Sequence, residues 1–364
     1  MTTIAPTRDA VEDPTGPVVV AGVDTHRDTH TAAVLDGLGQ VLGTAQFPAT
    51  GPGYRALLGW VRGHGRPDRI GLEGSGAYGA GLAEYLQRAQ IRLIEVDRPD
   101  RRTRRAQGKS DPIDAVAAAR AVLAGTATGT PKQRASAIES VRVLRVSRHD
   151  ASDARARAMT RLKALLVTAP DGLRAQLREL SDRQLITACA RLRPGIGDPG
   201  ALHAADPAVA TRRALRDLAR RYIDLTEQIT ELDTILTPLV RSLAPALLDT
   251  FGVGTEIAGQ LLVTTGANPD RIHTDAAFAA LTGTSPVPAS SGRTTGRHRL
   301  NRGGDRQANC ALYRIALVRM RHDPRTRAYV QRRTAQGRTK KEIIRCLKRY
   351  IAREIWTTLR PLTT

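Results

Sequence analysis

The first apolar run of the chain predicts a buried β-strand that ends in a carboxylate. Residues 18–23 (Val-Val-Val-Ala-Gly-Val) are β-branched or small and apolar, and Asp24 follows them directly. Such a run is typical of a strand that is covered on both faces of an α/β sheet. In an open sheet of this kind, functional residues lie at the carboxyl ends of the strands. Asp24 is therefore a candidate functional residue.

Two further segments repeat this pattern of apolar residues beside acids. A second predicted strand, residues 69–72, ends in Glu73, and the segment Ser110-Asp111-Pro112-Ile113-Asp114 opens a predicted helix. Asp111 and Asp114 are three residues apart, so they share one face of that helix. If the four carboxylates converge, a cation must neutralise them, and oxygen ligands suit Mg²⁺ or Mn²⁺.

Each acid also has a purely structural interpretation. Asp111 precedes Pro112, as a helix N-cap would, and Asp24 precedes Thr25 at a predicted turn. Two apolar strands that both end in acids are nevertheless unusual on a basic chain, and this favours the metal site. His26 and His30 follow Asp24 closely and are either further ligands or turn residues.

The order of elements predicts the fold class, α/β followed by α. Residues 1–16 are expected to be a disordered lead. Residues 17–125 predict a hairpin after the first strand, and then alternating helices and strands, which fits an RNase H-like sheet. Residues 125–131, rich in Gly, Thr, Ala and Pro, predict a linker. Residues 126–244 predict a helical coiled-coil region, and residues 245–364 a mostly helical C-terminal domain.

The coiled-coil prediction depends on one apolar stripe with alternating spacings of three and four residues. Its members are Leu215, Leu218, Tyr222, Leu225, Ile229, Leu232, Leu236 and Leu239. The stripe fits an antiparallel helix pair within one chain as well as a contact between two chains. Pro245 is expected to end this helix. Farther on, the glycines of Phe251-Gly252-Val253-Gly254 predict either a phosphate-binding helix-hairpin-helix or a simple joint.

The charge of the chain indicates a polyanionic partner. It has 56 Lys and Arg against 35 Asp and Glu, a net charge of +21, and most of the cations are arginine, which binds phosphate in a bidentate manner. No run of 18 apolar residues predicts a membrane span, and no apolar signal core is present. The three cysteines form no CxxC motif, which is typical of a reducing compartment. We therefore expect a cytoplasmic protein that binds nucleic acid.

Two basic segments are candidates for phosphate contacts. The first leads into the Asp111 helix and the second follows a loop rich in Pro, Ser and Gly. A flexible serine hydroxyl among guanidinium groups is suited to attack a phosphodiester, although a solvated linker has the same composition. The candidate residues are Arg101, Arg102, Arg104, Arg105, Lys109, Arg293, Arg297, Arg299 and Arg302. A row of arginines on the first long helix, between Arg142 and Arg161, is either a further contact surface or a solvated face.

Three segments resemble the DEDD transposases of insertion-sequence family one hundred and ten, which are related to the Piv and MooV DNA invertases. They are Gly22-Val23-Asp24-Thr25-His26, Leu72-Glu73-Gly74-Ser75-Gly76 and residues 109–115. The loop rich in Pro, Ser and Gly at residues 281–292 is called the serine loop below. In it and in the basic segment that follows, Pro286, Ser291-Gly292, Arg299 and Gly304-Asp305 match the family's spacing. The sequence departs from the family at Asn301 and at residues 307–309.

The resemblance implies a RuvC-like (RNase H-like) domain in which Asp24, Glu73, Asp111 and Asp114 bind divalent metal. It also implies that Ser291 becomes covalently linked to DNA during recombination. Family members use a structured guide RNA to choose both the donor and the target DNA, so RNA is an expected partner. We further expect a homodimer or a tetramer, and a reaction that needs both the acids and the serine.

Three other functions compete with this interpretation. A metal-dependent Holliday-junction resolvase or nuclease would use water in place of Ser291 and would form no covalent adduct with DNA. A non-catalytic nucleic-acid-binding protein would show no metal dependence, although intact acids at all four positions argue against it. An actin-like ATPase would need paired Gly-rich phosphate loops, which the sequence lacks.

Overall fold

The computed structural model describes residues 16–96, 110–134, 136–193, 206–289, 298–301 and 303–360. Nearly all of the predicted N-terminal lead therefore lies outside the described residues. The chain divides into two compact units. The first comprises the chain up to residue 134 together with residues 265–273, and the second comprises residues 135–264 and 274–364.

The first unit is a five-stranded mixed sheet with helices on both faces. Its elements are β1 (Val18–Thr25), β2 (Thr29–Leu35), β3 (Val41–Pro48), α1 (Gly51–His64), β4 (Arg66–Glu73), α2 (Ala80–Arg88), β5 (Leu93–Val96) and α3 (Asp111–Leu123). The strand order is β3-β2-β1-β4-β5. β2 pairs antiparallel with β1 and β3, whereas β4 is parallel to both β1 and β5. The mixed α/β sheet predicted for this part of the chain is confirmed.

Apolar packing on the two faces explains why the central strands are buried. One face packs against α1 and α2 through residues such as Val23, Leu57 and Leu82, which are fully buried. The other face packs against α3, where Val20, Ile94 and Val122 form a smaller cluster. β3 is an edge strand, and its residues alternate between exposed and half-buried, as one covered face requires. The polar ends of β1 and β4 are thus enclosed beneath a helix.

The stretch interpreted as a linker pairs in part with the sheet. The backbone N–H of Glu95 donates to the carbonyl of Gly129 at 2.6 Å, which adds a bridge at the edge of β5. Asn268 then donates through Nδ2 to the carbonyl of Pro131, and its Oδ1 accepts from the N–H of Gln133. These bonds tie residues 265–273 to the first unit. The composition of residues 125–131 did not predict this pairing.

The second unit is mostly helical, as predicted. Its helices are α4 (Ser136–Val167), α5 (Asp171–Leu177), α6 (Asp182–Ala190), α7 (Pro207–Leu243), α8 (Pro245–Leu248), α9 (Thr255–Thr265), α10 (Asp275–Leu281), α11 (Arg306–His322), α12 (Pro324–Ala335) and α13 (Lys340–Leu359). A short hairpin of β6 (Pro286–Pro288) and β7 (His298–Leu300) precedes α11. No helix among the described residues is both long and apolar enough to cross a membrane.

Helices α4 and α7 run antiparallel within one chain. Arg148 near the start of α4 bonds Asp233 near the end of α7, and Leu162 packs in the same buried cluster as Leu215. α7 ends at Leu243, just before Pro245, as predicted. The sequence left open whether the apolar stripe of α7 pairs within or between chains, and the intrachain pairing accounts for its buried members. A coiled-coil geometry for this pair stays a prediction.

Three arginines of α4 pair with acids inside this unit. Arg142 binds Glu139, Arg145 binds Glu256, and Arg148 binds Asp233. By contrast, Arg157 and Arg161 are exposed. The first three arginines therefore contribute to the helical framework, and only the exposed part of the row is available to a nucleic-acid backbone.

Candidate functional site

Asp24 and Glu73 lie side by side at the ends of two neighbouring parallel strands. They are register partners of β1 and β4, and both are buried, with 6% and 5% of their surface exposed. Two residues earlier on the same strands lie Gly22 and Gly71, which face α3. Because side chains alternate along a strand, Asp24 and Glu73 face the same side. The two acids therefore point to the side of the sheet that α3 covers.

The N-terminus of α3 brings the second pair of acids to this side. Asp111 and Asp114 occupy the first turn of the helix, and Asp114 is buried whereas Asp111 is half-exposed. The sequence explains where the helix begins, because Pro112 suits its first turn. The N-cap is Ser110, so Asp111 is not the cap that its position before Pro112 had suggested.

His26 joins the two pairs of acids. Its Nε2 lies 3.0 Å from Oδ2 of Asp24 and 3.3 Å from Oδ1 of Asp111. One ligand atom from each of Asp24, His26 and Asp111 can be chosen so that all three lie within 4.8 Å of one another. The sequence offered both His26 and His30 as ligands, and only His26 lies in this cluster. His30 is fully buried and stacks on Tyr54 at a centroid distance of 5.7 Å.

The electrostatics of this cluster favour a bound cation. Burial raises the pKa of Asp24, His26 lowers it, and the nearby carboxylates of Asp114 and Asp111 raise it. Several carboxylates that repel one another in a buried site are stabilised by a divalent cation. Carboxylate oxygens are ligands that divalent cations accept, and the imidazole of His26 is a further possible donor. The residues present therefore fit a divalent metal ion.

The serine loop is described only at its two ends. β6 and β7 pair through Pro286 with Leu300 and Val287 with Arg299, and so form the base of a hairpin. Ser291, Arg293, Arg297 and Arg302 lie outside the described residues, as does the side chain of Arg299. The same applies to the first basic segment, which comprises Arg101, Arg102, Arg104, Arg105 and Lys109. Their predicted roles stay predictions.

Two asparagines hold the base of this hairpin. Asn301 donates from Nδ2 to Oγ of Ser285 at 2.8 Å, and its Oδ1 accepts from the N–H of Gly303. Asn309, on α11, donates to the carbonyls of Thr282 and Gly283, both at 2.9 Å. Asn301 and Asn309 are positions at which the sequence departs from the family pattern. The departures thus supply contacts of their own, which the pattern alone gave no signal to find.

Asp305 connects the hairpin to two helices. Its Oδ1 accepts from the N–H groups of Gln307 and Ala308 and so caps α11. Its Oδ2 accepts from Oγ1 of Thr264 at 2.6 Å and from Nε2 of Gln260 at 3.3 Å. The sequence noted Gly304-Asp305 only as a matching motif. Its physical role here is to fix the start of α11 against α9.

Comparisons with known proteins agree with these segments. The family model of the DEDD transposases of IS110 elements matches residues 21–169, which include all four acids. A second model, the transposase IS116/IS110/IS902 family, matches residues 244–331, which include the serine loop.

Two curated relatives match a shorter part of the chain. One is the 42 kDa protein of insertion element IS900 from Mycobacterium paratuberculosis, 29% identical over 145 residues. The other is the 43.6 kDa protein of insertion element IS110 from Streptomyces coelicolor, 32% identical over 145 residues. Each match covers 39% of this chain and 36% of the relative, so the chain spans little more than a third of the relatives that it matches. The two family models together cover more than half of the chain, which belongs to the IS110 family of transposases.

Proposed function

We propose that this protein is a DNA transposase that cuts and rejoins DNA strands, using a divalent metal ion at its acidic cluster and Ser291 as the nucleophile. The observation that carries this proposal is the convergence of Asp24 and Glu73 with the helix that bears Asp111 and Asp114. Structural capping alone would not require two buried acids side by side at the strand ends. Strand order and orientation support an RNase H-like assignment of this unit.

The four acids and His26 form the proposed metal site. Asp24, Glu73, Asp111 and Asp114 would hold the ion, and His26 would either ligate it or orient the carboxylate of Asp24. When bound, Mg²⁺ neutralises charge on the phosphate oxygens and lowers the pKa of an attacking hydroxyl group. The low exposure of Asp24 and Glu73 keeps bulk water away from their carboxylates.

In each step of the proposed strand transfer, one phosphorus–oxygen bond forms while another breaks. The Oγ of Ser291 forms a bond to phosphorus while a phosphorus–oxygen bond to deoxyribose breaks. The serine proton passes to a carboxylate or to water, and the departing deoxyribose oxygen takes up a proton. A deoxyribose hydroxyl of the second DNA partner then displaces the serine by the same exchange. Because one phosphodiester replaces another, the cycle needs no external energy source.

We propose that a structured guide RNA selects the donor and the target DNA. The net charge of +21 provides affinity for both nucleic acids without a sequence-reading motif. We further propose that a homodimer or a tetramer holds the donor and the target DNA. Light scattering with and without RNA would measure this state, and a monomer under all conditions would contradict it.

A suicide DNA substrate in Mg²⁺ tests the chemistry. Wild-type protein is expected to form a covalent DNA adduct that peptide mapping assigns to Ser291. Ser291→Ala should bind DNA without forming the adduct, whereas the matched control Ser290→Ala should form it. Asp24→Asn should also lose the adduct. Strand cleavage without any adduct would identify a water-using nuclease instead, and an adduct that persists in Ser291→Ala would refute the assigned nucleophile.

A further inference from the structure

A cavity of about 800 Å³ opens beside the hairpin, entirely within the second unit. Thr284, Ser285 and Pro286 from the β6 side and His298 from β7 form one wall. Helix α13 and the end of α12 form the other. This volume lies within the range of pockets that hold small ligands, so a single nucleotide fits it and a duplex does not.

The wall of this cavity is strongly cationic. It includes five cations, namely Arg333, Arg338, Arg345, Lys348 and Arg349, and Glu342 is its carboxylate. Glu342 accepts from Thr339 in the capping box of α13 and lies 3.5 Å from Arg338. The cavity therefore carries a clear excess of positive charge.

Three of these cations have no acidic partner within the described parts of the chain. Arg338 pairs with Glu342 and Arg349 with Asp275, whereas Arg333, Arg345 and Lys348 form no ion pair there. Arg333 donates from Nη1 to the uncharged amide oxygen of Gln336 at 2.9 Å. Three cations without an acidic partner leave positive charge on this wall, which an anion with several oxygen atoms would balance.

Lys348 lies at the buried end of this wall. It is 6% exposed, and its Nζ donates to Oδ1 of Asn309 at 2.8 Å. Burial lowers the pKa of Lys348, and the charge of Arg345 lowers it further. An ammonium group has three N–H donors, so the bond to Asn309 leaves two of them for other acceptors. A phosphate oxygen nearby would favour its charged form.

Tyr350 adds an aromatic surface to the cationic wall. Its side chain lines the cavity, the residue is 56% exposed, and its ring meets that of Tyr329 edge-on at 6.0 Å. Aromatic residues are few in the chain as a whole, which argues against an extended stacking platform. One ring beside several cations is nevertheless the combination that binds a nucleotide of a single strand, through base stacking and phosphate contacts.

We propose that this cavity binds one nucleotide of a single nucleic-acid strand, with its phosphate on Arg333, Arg345 and Lys348 and its base on Tyr350. The proposal rests on the proposed function and deepens it, because the cavity shares its wall with the hairpin whose connecting segment carries Ser291. A DNA strand and an RNA strand offer the same phosphodiester chemistry, and the experiment distinguishes them.

The test measures binding of the full-length protein to short single-stranded DNA and RNA oligonucleotides by fluorescence anisotropy, in EDTA and over a series of salt concentrations. Arg345→Gln is expected to weaken binding whatever the sequence and to reduce the slope of log K against log salt by about 0.7. Lys341→Gln is the matched control, because Lys341 is exposed on the same helix but does not line the cavity. It should leave the slope unchanged.

Two further variants address folding and the base. Tyr350→Ala should weaken binding without changing the salt slope, and Lys348→Met should act like Arg345→Gln if circular dichroism shows an intact fold. A loss on only one oligonucleotide identifies the strand as DNA or RNA, and a loss on both indicates a backbone site shared by the two. If Arg345→Gln matches Lys341→Gln on both strands, the proposal is overturned.

The covalent adduct at Ser291 is scored separately in the same variants. Normal binding by Arg345→Gln together with a normal adduct would reject the cavity and leave the transposase chemistry intact. If the wild-type protein forms no adduct but its single-strand affinity depends on Arg345, the transposase chemistry is rejected and the cavity proposal is supported.

Discussion

Gly22 and Gly71 are register partners on neighbouring parallel strands, and both face helix α3. A Cβ atom on Gly22 would lie 2.2 Å from the backbone N of Ala119, and one on Gly71 would lie 2.6 Å from Cγ2 of Val122. These distances are far below normal contact. The glycine pair therefore sets how closely the helix that carries Asp111 and Asp114 approaches Asp24 and Glu73.

Alanine at these glycines should destabilise the first unit in a fixed order. Gly22→Ala collides with backbone and is expected to cost about 3 kcal/mol, whereas Gly71→Ala first meets the buried side chains of Val122 and Val96 and should cost about 2 kcal/mol. Urea denaturation followed by circular dichroism measures both losses of stability. Gly59→Ala is the control, since Gly59 lies in α1 with open space around it. Equal stability of Gly22→Ala and Gly59→Ala would contradict the proposed packing.

Neutralising Asp24 should separate metal binding from folding. Mg²⁺ or Mn²⁺ is expected to raise the thermal midpoint of the wild-type protein, because a ligand that binds only the folded state stabilises it. Asp24→Asn should lose this shift, and in EDTA it should be at least as stable as wild type, because a buried charge near other carboxylates is removed. Differential scanning fluorimetry provides the measurement.

Asp28→Asn is the matched control for that experiment, because Asp28 is highly exposed on the turn after β1. It should keep the metal-dependent shift. An Asp24→Asn variant that retains the full shift would show that Asp24 is not a ligand.

Asp305 should contribute more to stability than an ordinary helix cap. Asp305→Ala removes the cap of α11 and also the bonds that Oδ2 accepts from Thr264 and Gln260, so it is expected to cost about 2–3 kcal/mol. Asp323→Ala removes the cap of α12 and a bond from the Thr326 hydroxyl in the same turn, but no bond to another helix among the hydrogen bonds described, and should cost about 1 kcal/mol. Denaturation followed by Trp356 fluorescence compares the two. Equal losses would mean that the bonds to Thr264 and Gln260 add nothing.

The arginines of α4 should divide into a structural and a solvated group. Arg145→Met leaves half-buried Glu256 with only the longer contact to Arg148, at 3.7 Å, and is expected to cost about 2 kcal/mol, less than for a fully buried pair. Arg157→Met changes an exposed residue and should alter stability by less than about 0.5 kcal/mol. Urea denaturation of the two variants checks this difference. A destabilised Arg157→Met with an unaffected Arg145→Met would invert the assignment.

The strands and the acids could be predicted because their signals are local. A few adjacent residues are enough to predict the strand before Asp24 and the helix start at Asp111-Pro112. The close approach of α3 could not be predicted in this way, because a glycine in a strand does not show what lies opposite to it. His26 was foreseen only as one of two candidate ligands, and its contact with Asp111 depends on a helix 85 residues farther along.

Long-range pairing also explains what the sequence left open in the helical unit. Arg145 and Arg148 bond acids that lie 111 and 85 residues away, so their sequence neighbours give no sign of it. The roles of Asn301 and Asn309 could not be predicted for another reason. A mismatch with the family pattern shows that a residue differs, but it does not show what that residue contacts. The cationic cavity combines residues of the hairpin with two helices, and only the fold brings them together.

The attachment of the serine hairpin has a consequence for how this part of the protein can change. All the hydrogen bonds described at its base, from Asn301, Asn309 and Asp305, come from residues outside the segment 290–297. Asn309 and Asp305 belong to α11 or its N-cap, so the position of the hairpin base depends on where that helix begins. A substitution in α11 would therefore shift the ends of the hairpin, although the substituted residue lies outside it.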